Sequence, residues 1–373
     1  MILSPEEKER YARHFALPGF GPDGQLKLRR AKVLVVGAGG LGAPVLSYLT
    51  ASGIGTIGVA EFDRVHISNL QRQVLFDTSD IGADKGETAV ARLSRQNPHV
   101  SFELFQEKLT AHNALAILGR FDIVVDCTDN FPTRYLLNDA AVLTGIPMVY
   151  GSVFRYEGQV AIFNDRLGVN YRDLYPTPPL PGAVPDCEDG GVLGALPGII
   201  GSIQAIEVIK LIAGIGSNLA GKLFLMDSLT LETQIIPIPD RGSRSGINGL
   251  IDYDDFCGFS QKKKENWDMK EVTVQELKKL MDSGADFQLI DVREPYEYDI
   301  CNIGGELIPM AEIPSNTDKI SKDKQVIIHC RSGKRSGDML LWLEKNSGFE
   351  NLYNLKGGIL AWAKEIDTSM PTY

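Results

Sequence analysis

The 373-residue sequence predicts an α/β protein: a large domain with a mostly parallel sheet covered by helices, followed by a second, smaller α/β domain. Three observations predict it. Short β-branched runs alternate with helical stretches to about residue 240. A glycine cluster sits directly between one such run and a helix. Composition shifts over residues 237–269, after which strand and helix signals resume.

Charge and composition narrow the function classes. The 38 basic and 48 acidic residues leave a net charge of −10, which argues against broad nucleic-acid binding, a mode that needs many phosphate-neutralising cations. Hydrophobic content of 43% with 23% charged residues is that of a globular chain and excludes disorder or a collagen-like repeat. Five scattered cysteines, Cys127, Cys187, Cys257, Cys301 and Cys330, do not form a disulfide framework and fit a reducing compartment. The first residues lack the pattern of a signal peptide, and the apolar stretch Val192–Ala205 is short of a membrane span, so a cytoplasmic location without membrane contact is expected.

The elements follow in order. Ser4-Pro5-Glu6-Glu7 has the form of a capping box and predicts a helix through about Ala16. Strands are expected at Lys32–Val36, Thr56–Ala60, Phe121–Asp126 and Pro147–Tyr150, with a helix over Leu41–Ala51. Gly, Ser and like-charged residues over 241–269 read as a linker, which sets domains of 1–240 and 270–373. In the second domain, Thr273-Val274-Gln275-Glu276 opens a helix. Strands at Phe287–Asp291 and Val326–His329 and a helix near Arg335–Glu344 follow.

Gly37-Ala38-Gly39-Gly40-Leu41-Gly42 is G-x-G-x-x-G between a strand and a helix, so backbone N–H groups and a helix amino terminus face a phosphate. Glu61 ends the next strand, where a carboxylate can hold ribose hydroxyls. Alone this marks a nucleotide or dinucleotide site. Asp63, Asn69, Arg72, Lys85, Asp129 and Asn130 shift the reading. Cations beside a phosphate site and a carboxylate at a strand's carboxyl end suit phosphoryl or nucleotidyl transfer with Mg²⁺, and hydride transfer needs none of them. Taken singly, Lys85 also reads as a surface residue, Arg72 as a structural ion pair, and Asp129 and Asn130 as helix caps.

The glycine cluster, Asn69-Leu70-Gln71-Arg72-Gln73, Lys85 and Asp126–Asn130 together resemble the MoeB/ThiF family, the ubiquitin-activating-type adenylyltransferases, through about residue 258. The resemblance implies a doubly wound, Rossmann-like adenylyltransferase domain and a homodimer. It implies ATP and Mg²⁺, and adenylation of the terminal glycine of a ubiquitin-like sulfur carrier ending in Gly-Gly. It makes Gly40, Asn69, Arg72 and Lys85 phosphate contacts, Glu61 the ribose contact in place of the family's Asp, and Asp129 the Mg²⁺ ligand. Arg13 corresponds to the arginine that reaches the partner subunit's site. Cys187 lies in the family's crossover loop, either as a covalent link to the carrier or as an accessory thiol. Many relatives hold zinc with two C-x-x-C pairs. Here Asn170 and Asp173 occupy the first pair's positions and Cys257 remains alone of the second, so no structural zinc is expected.

Near the carboxyl end, Val326–His329 leads into Cys330-Arg331-Ser332-Gly333-Lys334-Arg335-Ser336. Backbone N–H groups, a helix amino terminus and Arg331, Lys334 and Arg335 all favour an anion at Cys330. The loop alone is ambiguous between sulfur and phosphate chemistry. The surrounding Asp291-Val292-Arg293, Ile303-Gly304-Gly305 and Leu355-Lys356-Gly357-Gly358 resemble rhodanese domains over 270–373, which implies a persulfide on Cys330, loaded by a donor such as a cysteine desulfurase, with Asp291 and Arg293 supporting the loop. The five histidines share no metal-ligand spacing. The combined expectation is an adenylyltransferase–sulfurtransferase serving molybdopterin or thiamine synthesis, or tRNA thiolation. The alternatives are an NAD- or FAD-dependent oxidoreductase with a rhodanese appendage and a non-catalytic scaffold for a ubiquitin-like partner.

Overall fold

A computed structural model describes residues 3–166, 168–179, 191–257 and 269–372. They fall into two compact units, one reaching Cys257 and one starting at Met269.

The first unit is built on eight strands: β1 (Lys32–Val36), β2 (Thr56–Ala60), β3 (Ser101–Phe105), β4 (Ile123–Asp126), β5 (Met148–Phe154), β6 (Glu157–Phe163), β7 (Lys222–Asp227) and β8 (Thr233–Pro237). Their order is β3-β2-β1-β4-β5-β6-β7-β8. The first five are parallel, and β6 to β8 extend the sheet antiparallel. The chain winds outward from β1 through β2 to β3, then returns to place β4 on the other side of β1. The strand order therefore reverses between β1 and β4, and a crevice opens at their carboxyl ends.

The apolar run at β1 reflects burial on both faces. Val33 and Val35 join the core beneath the Gly42–Ser52 and Leu196–Ala213 helices, while Leu34 and Val36 join the one beneath the Phe131–Thr144 helix. The Leu196–Ala213 helix is longer than the expected apolar stretch. By length and composition it could cross a membrane, yet half of it is buried in this unit. A Cβ on Gly201 would come within 2.5 Å of Leu41 O, so this helix is closely packed on the turn that starts Gly42–Ser52.

Other departures have local causes. The Ser4 capping box forms, with Glu7 N–H donating to Ser4 Oγ and Ser4 N–H to the Glu7 carboxylate. The helix stops at Arg10 and resumes at Ala12, because the intervening Tyr11 is buried and its hydroxyl accepts from Asn97 Nδ2.

The expected linker begins too early. Residues 241–257 pack onto the first unit. Arg241 N–H donates to Asp173 Oδ1, and Asn170 Nδ2 donates to Ser243 Oγ. Beside them Arg172 makes a two-pronged pair with Asp139 at 2.8 and 2.7 Å, the Tyr253 hydroxyl donates to the same carboxylate at 2.7 Å, and the guanidinium lies over Phe256. Burial, then the Asp139 charge, pushes the Tyr253 phenol well above its ordinary range, which keeps it a donor. Asn170 and Asp173 thus belong to a polar clasp, with Cys257 buried beside it.

The second unit has five parallel strands in the order β11-β10-β12-β13-β9: β9 (Glu271–Val272), β10 (Phe287–Asp291), β11 (Glu306–Leu307), β12 (Gln325–His329) and β13 (Leu352–Leu355). The Thr273–Glu276 capping box forms. At the carboxyl ends of β10 and β12, Arg293 and Asp291 are both fully buried and paired at 2.6 Å, and Arg293 also donates to Cys301 O. His329 is buried beside them, and its ring nitrogens have no hydrogen-bond partner.

Two outcomes follow. Asp139→Ala leaves a largely buried guanidinium unpaired and lowers the first unit's stability by about 3 kcal/mol in urea unfolding, whereas a chelator leaves the wild-type melting temperature unchanged. Burial, with the nearby Arg293 charge, lowers the His329 value from 6.5 to about 4 against the opposing pull of Asp291. The unfolded chain then binds a proton that the folded one refuses. His329 thus favours folding above about pH 6.5, and that contribution, up to about 3 kcal/mol, is lost as pH falls toward 4. His329→Gln should flatten the fall in stability of the second unit across that window, measured by denaturation at stepped pH.

Candidate functional site

The first site is a cleft of about 410 Å³ at the carboxyl ends of β1, β2 and β4. Its floor is the glycine turn. Gly37 has φ +94°, and a Cβ on Gly42 would sit 2.0 Å from Gly37 O, so the turn and the following helix approach as only glycine allows. Glu61 holds this turn. One carboxylate oxygen accepts from Ala38 N–H at 2.8 Å and the other from the N–H groups of Phe62 and Asp63 at 2.9 Å each. The residue read as a ribose contact therefore also shapes the phosphate loop.

Arg72, Lys85, Lys108 and Arg134 line the cleft, the first two of them expected from the sequence. Lys85 opens the Lys85–Gln96 helix and is only 6% exposed, with Asp63 Oδ2 at 3.4 Å. The Asp63 side chain is mostly exposed, so this pair offsets little of the cost of burying the ammonium. Arg72 is half-buried and donates to Ser68 O, which orients its stem along the 67–72 turn.

Opposite them, the Asp126 carboxylate accepts from Thr128 N–H and Oγ, shaping the turn that leads to Asp129. Burial pushes the Asp126 carboxyl up, against the charge of Arg134. Asp129 is exposed on the cleft wall, and Asn130 lines it while capping the Phe131–Thr144 helix through Thr133 N–H.

Of the residues singled out in the sequence, Gly37, Gly39, Gly40, Glu61, Asp63, Arg72, Lys85, Asp129 and Asn130 line the cleft. Gly42 serves packing. Asn69 does not line it, since its Oδ1 accepts from His66 N–H and closes the turn that carries Arg72. Arg13 is exposed on the Ala12–Phe15 helix, away from the cleft lining. Cys187 lies outside the described residues. The sequence reading passed over Gln73, Thr128 and Arg134, which also line the cleft. Adjacency of Gln73 to Arg72 was the only available signal for the first of these.

The second site is the loop after β12. Cys330 is buried, with Gly333 N–H donating to Sγ at 3.2 Å and Ser336 Oγ 3.4 Å away. The loop carbonyls turn outward, Cys330 O accepting from Ile359 N–H and Arg331 O from Leu360 N–H, both at the start of the Gly358–Glu365 helix. The Gly333 amide faces the sulfur. Arg335 corrects the expectation that all three cations favour an anion there. Its guanidinium makes two 2.7 Å hydrogen bonds to the buried Glu297 carboxylate and braces the loop.

Comparison with known proteins matches both units. The ThiF family pattern covers residues 11–245 and the rhodanese-like domain pattern residues 273–365. The Mycobacterium tuberculosis probable adenylyltransferase/sulfurtransferase MoeZ is 45% identical over 100% of this chain and 96% of its own. The Danio rerio adenylyltransferase and sulfurtransferase MOCS3 is 38% identical over 100% of this chain and 88% of its own. The Thermus thermophilus sulfur carrier protein adenylyltransferase is 49% identical over 69% of this chain and 100% of its own. Among solved structures, E. coli MccB with ATP superposes with a TM-score of 0.55 at 22% identity, over 68% of this chain and 75% of that one, a likeness of fold alone. The chain belongs to the ThiF family and carries a rhodanese-like domain at its carboxyl end.

Proposed function

We propose that the chain adenylates the terminal carboxylate of a ubiquitin-like sulfur carrier with ATP, and then delivers sulfur from a Cys330 persulfide to give a thiocarboxylate. The observation that carries this reading is the convergence of Arg72, Lys85 and Asp129 on one cleft above the glycine turn. Full-length relatives named for both activities support it.

In the first half-reaction a carboxylate oxygen attacks the α-phosphorus and pyrophosphate leaves. Lys85 and Arg72 stabilise charge on the phosphate oxygens, and Lys85 does so most strongly because it is buried. Mg²⁺, for which the hard oxygens of Asp129 are a fitting ligand, would neutralise further phosphate charge. Arg13 of a second subunit is assigned the same task, which requires a homodimer. In the second half-reaction the outer sulfur of the persulfide attacks the acyl carbonyl and AMP leaves, forming an acyl disulfide. The thiolate of Cys187, the candidate here, then attacks Cys330 Sγ and expels the thiocarboxylate, leaving a Cys187–Cys330 disulfide that an external thiol reductant reopens. Carrying both activities on one chain raises the effective concentration of the sulfur donor. Molybdopterin synthesis is the assigned pathway, with thiamine synthesis and tRNA thiolation as the other destinations of such a carrier.

ATP–pyrophosphate exchange tests this reading, with molybdopterin-type and thiamine-type carriers each beside a version lacking the final glycine. Exchange with one intact carrier supports adenylation and assigns the pathway. No exchange with any carrier overturns it. The two sites should also fail separately. Asp129→Ala and Lys85→Ala each lower exchange by about a hundredfold or more while sulfur transfer from thiosulfate to cyanide persists, and Cys330→Ser does the reverse.

A further inference from the structure

Gln73 is a buried neutral amide in the cleft whose chemistry the reaction above leaves unused. It follows Arg72 and is 5% exposed, and its backbone N–H is bonded to Asn69 O at 2.9 Å, which fixes its place on the turn. Its side chain crosses to the glycine loop, where a Cβ on Gly39 would come within 3.4 Å of Nε2. Oε1 is buried and has no hydrogen-bond partner. A buried amide left unsatisfied costs about 1–3 kcal/mol, and a Leu or Met of similar size would fill the space without that cost. An amide kept here points to a polar ligand in the cleft.

We propose that Gln73 is a phosphate-binding group of the adenylation site. Nε2 donates to a phosphate oxygen of the nucleotide held over Gly39, and Oε1 accepts from a water ordered with it. A neutral amide suits this position. Arg72 and Lys85 already supply positive charge, and the carboxylates of Glu61 and Asp63 line the same cleft. A donor that adds no charge orients the phosphate without binding pyrophosphate so tightly that it fails to leave. The proposal rests on the adenylation reading only in naming the nucleotide.

The experiment measures binding of ATP and of adenosine to the full-length protein by calorimetry, with ATP KM and kcat from pyrophosphate exchange. Gln73→Leu should weaken ATP by about tenfold, leave adenosine affinity unchanged, and raise the ATP KM by the same factor. Its melting temperature without nucleotide should equal or exceed that of the wild type. Gln73→Glu sets a carboxylate against the phosphates and should weaken ATP further. Gln73→Leu with unchanged ATP affinity, or with equal losses for ATP and adenosine, overturns the assignment while leaving adenylation intact. A wild-type protein that binds no ATP overturns both.

Discussion

The nucleotide cleft depends on one carboxylate. Glu61 directly follows β2, and its two oxygens take three backbone N–H groups, one from the glycine turn after β1 and two from its own continuation. Those bonds hold the turn at the carboxyl ends of β1 and β2. They also set where the chain goes after β2, because Asp63 O accepts the Lys85 N–H that starts the next helix. Gly37, Glu61 and Lys85 are thus one mechanical unit. An Asp in place of Glu61 has one methylene less with which to span that distance, so the longer arm has a structural use here beyond any ribose contact.

Much of this was legible in the sequence where burial imposes a pattern. Lys32–Val36 and Thr56–Ala60 match their strands because a parallel strand covered on both faces must be apolar throughout. The glycine cluster was legible because close approach excludes every other residue. The 241–257 segment was not. It is held by side chains distant in sequence, Asp173 to Arg241 and Asp139 to Tyr253, and a hydrogen-bond clasp leaves no periodicity to read. Its Gly, Ser and Arg residues have a linker's composition while serving as a packed edge.

The site residues divide in the same way. Lys85 and Arg72 were assigned from their order along the chain, and the fold brings both to the cleft. Asn69 belongs to the same run but turns back to cap its own loop, a choice that depends on His66 N–H and is invisible in the spacing. Gln73 was overlooked because a neutral amide carries no charge signal, and only its burial without a partner distinguishes it. Arg335 shows the opposite error. Counting nearby charges assigns it to the sulfur, while its partner Glu297 lies 38 residues away in sequence.

The two sites handle anions in different ways, and the difference suits the chemistry proposed for each. The cleft sets side-chain cations, Lys85 and Arg134 among them buried, against a substrate that carries several charges and must shed pyrophosphate. The cysteine loop offers the Gly333 amide, while the Ser336 hydroxyl donates to Asn354 Oδ1 at 2.7 Å and the Arg335 guanidinium is tied to Glu297. A sulfur nucleophile loses reactivity as its pKa falls. A guanidinium clamped directly on the persulfide would stabilise the anion at the expense of its attack on a carbonyl. An amide dipole stabilises it less. Holding Arg335 on Glu297 therefore preserves the shape of the loop, and suits the sulfur delivery proposed for Cys330.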